Sequence, residues 1–372
     1  MNIVTDDYGK LKEEINNLLY IIEHKKLKDQ MAALASIEGI MALLDNFDKS
    51  IFDFDISILE KPYLLTSYAQ KMSSNYKNFK KNFIQNKEFH QKYLKDILTV
   101  IDENLGQIDD TYRSMKTTYL TDCECYDIML EYARSVNKYD LFKELVKNRR
   151  IFELDNNDLY NGEALNIMNN ENSFIFLNNF SNDVMSMTTL IHEFGHIDDF
   201  NIANKKYSIN EINNQNLMSV YNEVNSKYHE KKFLHYLIDN NILKDEAIDT
   251  IIDLYWKDYD EILATYILSL LPDKVIFNEK YVNMNGEKIK ELLPKKFPCS
   301  GDTIESLELD LQEDVNYCYG AIVSEFLDTK EEREKFYNNY RGKYFDKRYL
   351  INNEFTKDNF AKIYSKKLYK IR

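Results

Sequence analysis

Apolar residues recur at helical spacing along most of the chain. Leu11, Ile15, Leu18, Leu19 and Ile22 fall on one stripe, the mark of an amphipathic helix that turns a single face to a core. The same pattern, separated by Lys, Glu, Asp and Asn, predicts helices over residues 28–45, 63–85, 87–105, 184–204, 216–238, 245–270, 303–328, 330–345 and 357–370. One segment departs from it. Ser173-Phe174-Ile175-Phe176-Leu177-Asn178 is a short apolar and aromatic run between Asn-rich flanks, and it reads as a strand. Asn169-Asn170, Asp239-Asn240-Asn241 and Asn352-Asn353 mark loops between periodic segments, and residues 272–302, with Pro272, Gly286, Pro294, Pro298 and Gly301, predict the irregular stretch.

Composition narrows the fold class. The 372 residues include nine glycines and four prolines, too few for the dense turns of a β-sandwich or the Gly-rich loops of a doubly wound sheet. A mainly α fold is expected, with a small β-sheet beside the helix at 184–204, and with an N-terminal helical region over 1–120 that caps a second domain over 121–372. The net charge of −14 argues against nucleic acid and against anionic membranes as partners. The longest strongly apolar run, Ile262 to Leu271, is half the length of a membrane-spanning helix. Cys123, Cys125, Cys299 and Cys318 show neither a metal-ligand spacing nor a disulfide framework, so reduced structural thiols are expected. The segment from Met1 to Asp7 lacks the basic and apolar regions of a signal peptide, which places the chain in the cytoplasm as an expectation.

Chemistry enters at His192-Glu193-Phe194-Gly195-His196, an H-E-x-x-H inside the predicted helix. One helical turn separates the two imidazoles, so both leave the same face and can share one Zn²⁺, while Glu193 can reach a water on the ion as general base. A catalytic zinc needs a third protein ligand. Ile202 stands where a metzincin carries its third His, which excludes that class. Asp198 and Asp199 lie too near on the same helix and read as solvated carboxylates. Glu223, on the next predicted helix, is the best third ligand, ahead of His229 and His235. Glu230 follows Glu223 by seven residues on nearly the same face, and its expected role is to support a ligand His.

These residues resemble the zinc oligopeptidases of the thimet oligopeptidase and oligoendopeptidase F family. The resemblance runs from about residue 121 to the C-terminus and rests on three blocks. Thr189-Leu190-Ile191-His192-Glu193-Phe194-Gly195-His196 matches the family's zinc helix, Glu223 to Glu230 its E-x6-E pattern, and Tyr319-Gly320-Ala321-Ile322-Val323-Ser324-Glu325 its late Y-G-x-L-W-S-E helix. Asn222-Glu223-Val224-Asn225-Ser226 also echoes the thermolysin-type N-E-x-x-S, though with a longer gap after the second His. The resemblance implies a helical metallopeptidase fold with one zinc per chain on His192, His196 and Glu223. It also implies Tyr319, or alternatively Tyr317, as the phenol that steadies the oxyanion, and a peptide held along an edge strand, here Phe174, Ile175, Phe176, Leu177 and Asn178.

Two departures from the family pattern bear on the task. Asp199 stands where members commonly carry a third His, and Leu307 to Gln312 occupies the place of a His and a Gly-Gly-Tyr stretch. The expected activity is hydrolysis of short, unfolded peptides. A peptidase dedicated to one peptide and a peptide-binding protein without turnover are the alternatives, and an intact Glu193 speaks against the second.

Overall fold

The apolar stripe of the first helix does face a core. The computed structural model describes residues 3–5, 7–43, 61–106, 117–154, 162–166, 173–205, 207, 219–293, 306–340, 342–369 and 371. Contacts divide the chain into two units, one drawing on Met1–Ser73, Lys116–Asn214 and His229–Glu246, the other on Ser74–Met115, Gln215–Tyr228 and Ala247–Arg372. The loop expected at Asn169-Asn170 and the prolines 294 and 298 lie outside the described residues.

In the first unit, α1 (Gly9–His24) buries Leu11, Ile15, Leu18, Leu19 and Ile22 against α2 (Leu27–Leu43). Leu64 joins that core, and a three-stranded sheet supplies Phe152, Phe174 and Phe176 to it. Strand β1 (Ile151–Leu154) pairs parallel with β3 (Ser173–Asn178), and β2 (Gly162–Asn166) pairs antiparallel with the other side of β3. The order is therefore β1-β3-β2, with β3 in the centre. Side chains alternate across a strand. Phe174 and Phe176 thus join Phe152 in the cluster with α1 and α2, while Ile175 and Leu177 turn to the opposite face, where α7 (Val184–Asn204) runs beside β2 and β3. The N-terminal helices share this core with the sheet.

Helices α5 (Asp122–Ser135) and α6 (Tyr139–Lys147) flank α7. A Thr121–Glu124 capping box starts α5, and Asn137, at φ 61°, turns the chain into α6. Asn tolerates this left-handed conformation better than other non-glycine residues. After α7 the next described helix is α8 (Val224–Asp239), which begins eight residues later than the pattern predicts.

The second unit holds α9 (Lys244–Leu270), α10 (Asp273–Asn278), β4 (Tyr281–Asn285), α11 (Gly286–Leu292), β5 (Ser306–Asp310) and α12 (Leu311–Ser324). Helices α13 (Lys330–Asn339), α14 (Lys347–Asn352) and α15 (Lys357–Tyr369) complete it, with α3 (Pro62–Gln85), which crosses the division, and α4 (Lys87–Leu105). The helix expected over 303–328 starts only at Leu311, because Ser306–Asp310 pairs with β4 and Asp310 caps α12 through the amides of Gln312 and Glu313. Leu307 and Leu309 alternate with Glu308 and Asp310, a period of two that the longer helical run conceals.

Phe152 is fully buried and stacks on Phe176 at 5.3 Å and on Tyr8 at 5.3 Å. Phe152→Ala should cost about 3–5 kcal/mol in chemical denaturation, whereas Tyr20→Ala, on the exposed face of α1, should change stability by no more than about 0.5 kcal/mol. Equal losses at the two positions would refute the assignment of this core.

Candidate metal and catalytic site

Asp183 caps α7 by accepting from the Ser186 amide at 2.8 Å, and Ser186 returns the bond to the Asp183 amide at 3.1 Å. The helix is anchored by Met187, Leu190, Ile191, Phe194 and Ile197, all buried. With that face fixed, His192 and His196 emerge together, half-buried, with ring centroids 5.2 Å apart. Glu193, between them in sequence, is 5% exposed.

Glu223 precedes the first turn of α8. Its backbone carbonyl accepts from the Lys227 amide at 3.0 Å, and the Ser226 hydroxyl lies 2.9 Å from one of its carboxylate oxygens. His192, His196 and Glu223 each offer one ligand atom, and these atoms all lie within 4.8 Å of one another. Two imidazoles and a carboxylate form a three-donor set suited to zinc. Two turns along α8, Glu230 places a carboxylate oxygen 3.4 Å from His192 Nδ1. A donor hydrogen on Nδ1 leaves the Nε2 lone pair free for a cation, which is the usual carboxylate support of a metal-binding histidine.

Beneath the imidazoles lies a charged network that the sequence did not announce. Asp198 was expected to be solvated, yet it is 1% exposed. Lys138, delivered by the α5–α6 turn, pairs with one of its oxygens, and His229 Nε2 stands 3.3 Å from the other. His229 Nδ1 in turn faces the Tyr132 hydroxyl at 2.8 Å. Burial by itself pushes the Asp198 carboxyl up, but the hydrogen bonds and charges of His229 and Lys138 outweigh it and bring the pKa down to about 2. His229 is therefore a structural histidine, and His235 lies further along α8, half-buried.

The strand expected to receive a peptide lies at the centre of its sheet, not at an edge. Phe174, Ile175, Phe176 and Leu177 belong to the central strand and are at most 1% exposed, the last three in register with both neighbours, and Asn178 ends that strand half-buried. Strand β2 lies at the edge instead, with no second partner strand among the described residues. It passes close to α7. A Cβ at Gly162 would stand 3.0 Å from Glu193 Cγ and Oε1 and 3.1 Å from Thr189 Cγ2, so a side chain there would press both side chains aside. The next residue, Glu163, is half-buried, and burial first, then the charge of Glu193, push its carboxyl up to about 7 while His196 opposes the shift. Sequence reasoning missed β2, since Gly-Glu-Ala-Leu-Asn has poor strand propensity.

The two candidate tyrosines on α12 part company. Gly320 faces Glu223 so closely that a Cβ there would meet Glu223 Cβ at 2.5 Å. Tyr317, one turn earlier on that side, is half-buried and holds its ring 5.4 Å from Lys227 Nζ. Tyr319 points elsewhere. It is fully buried, its hydroxyl lies 2.6 Å from His90 Nδ1, and burial raises the phenol far above its ordinary pKa. Burial also drives His90 down to about 3, so the ring is neutral and can accept a hydrogen bond from the phenol. The oxyanion role expected of Tyr319 is at odds with a hydroxyl committed to a core histidine.

No family model and no curated protein matches the chain. Its fold is similar to a solved structure described as an oligoendopeptidase F of Bacillus anthracis, at 12% identity and a TM-score of 0.48 over 96% of this chain and 69% of that one. It is also similar to one described as a peptidase of Chlamydophila abortus, at 11% identity and a TM-score of 0.47 over 97% of this chain and 60% of that one.

Proposed function

We propose that the protein is a zinc-dependent peptidase that hydrolyses short, extended peptides. The observation that carries this reading is the convergence of His192, His196 and Glu223 within 4.8 Å, on and beside the helix that bears Glu193. Zinc held by these residues would supply Lewis acidity, polarising the scissile carbonyl and lowering the pKa of water toward about 7. Glu193 is placed to take the proton of the attacking water and to return it to the leaving amine. Glu230 orients His192 through Nδ1. Tyr317 is the phenol we assign to the developing oxyanion, because it shares the α12 face that Gly320 presents to Glu223. The peptide lies along the outer edge of β2, where a free backbone can add as a further strand, a mode closed to segments inside a folded protein.

Three substitutions test the assignment. His192→Ala should lower the zinc content of the purified protein from about one per chain toward zero, since two donors cannot replace the hydration shell of the ion. Undiminished zinc by elemental analysis would remove the proposed site. Glu193→Gln should retain zinc while kcat falls by about 10²–10⁴ with little change in KM; cleavage at the wild-type rate would refute the general-base role. Gly320→Ala puts a methyl group against Glu223 and should weaken zinc binding by about tenfold or more with the circular dichroism spectrum preserved. Zinc affinity that does not move in this variant would argue against Glu223 as a ligand.

A further inference from the structure

Glu163 has no role in the chemistry described above, yet its surroundings are unusual for a surface carboxylate. Its side chain is half-buried and within the field of Glu193 and His196, and among the described residues no hydrogen bond or ion pair reaches its carboxylate. Carboxylates withdrawn from water are normally paired, because an uncompensated charge is costly there. Glu163 also stands on a strand with no second partner strand among the described residues, one residue from the glycine that packs against Glu193.

Strand geometry turns this placement into a statement about substrate. A peptide added to the outer edge of β2 sets one of its residues directly opposite Glu163 on the same face of the sheet, with Cβ atoms about 5 Å apart. A positive group at that position meets the carboxylate, and a negative one meets repulsion. We propose that Glu163 is a specificity residue that selects peptides carrying a cationic group, a basic side chain or the α-ammonium terminus, at the position paired with it on the β2 edge. This inference rests on the peptidase reading and deepens it by naming the substrate class.

The test uses the zinc-loaded full chain and a quenched peptide of one neutral sequence. Lys, norleucine or Glu is scanned through each position, and each peptide is made with a free or an acetylated N-terminus. Wild type should favour Lys over norleucine at one position, or the free over the acetylated terminus, by about tenfold or more in kcat/KM, the size of one charged hydrogen bond. The Lys scan reports the side chain as the source of the charge, and acetylation reports the terminus. Glu163→Gln should bring that ratio to about one, and Glu163→Lys should invert it in favour of Glu. The preference should also weaken with added salt. A wild-type ratio preserved in Glu163→Gln, or cleavage by wild type with no cationic preference, overturns the role of Glu163 and leaves the peptidase reading intact. The same ratios are read as dissociation constants by calorimetry. Selective binding of cationic peptides without cleavage would overturn the peptidase reading and retain Glu163, and neither binding nor cleavage would overturn both.

Discussion

One buried carboxylate holds the site's helices in place. Asp198 sits two residues beyond His196 on α7 and takes a lysine on one oxygen and a histidine on the other. A buried ion is tolerable only when it is fully paired, so Lys138 and His229 have little freedom to move away from it. His229 is the neighbour of Glu230, and the contact that orders it also brings the Glu230 carboxylate to His192. The bond from His229 Nδ1 to Tyr132 extends the chain of contacts into α5. Four elements are tied to one point, and the direction of both imidazoles follows from it.

Around this anchor the packing is aromatic and close. Phe194, the residue between the two halves of the H-E-x-x-H, meets Phe142 edge to face at 5.4 Å and His229 at 5.6 Å. Such contacts prevent α7 from rolling. On the sheet side, the absence of a side chain at Gly162 lets β2 approach Glu193, while Phe174 and Phe176 hold β3 on the core of α1 and α2. The N-terminal helices therefore act on the site indirectly, by fixing the sheet whose edge runs beside the general base. Absent side chains recur in the support of Glu223, which needs Gly320 for its own approach to α12.

The local sequence was enough to determine the helical class, the stripe of α1 and the H-E-x-x-H with its one-turn spacing, because each of these depends on residues a few positions apart. Glu223 and Glu230 were singled out for the same reason, seven residues apart, and the structure sets Glu223 just before α8 and Glu230 within it. The rest was decided by the tertiary structure. Which strand lies at the edge depends on pairing between segments distant in sequence, and the most strand-like run, Phe174 to Leu177, became the centre because its hydrophobicity demands cover on both faces and its backbone finds partners on both sides. The rotation of α12 sends Tyr317 toward Lys227 and Tyr319 into the core, although both lie in the same short motif. Asp198 looked like a solvated helix residue until Lys138 and His229, 60 and 31 residues away, were folded against it. A side chain's burial and partners are properties of packing, and no local pattern encodes them.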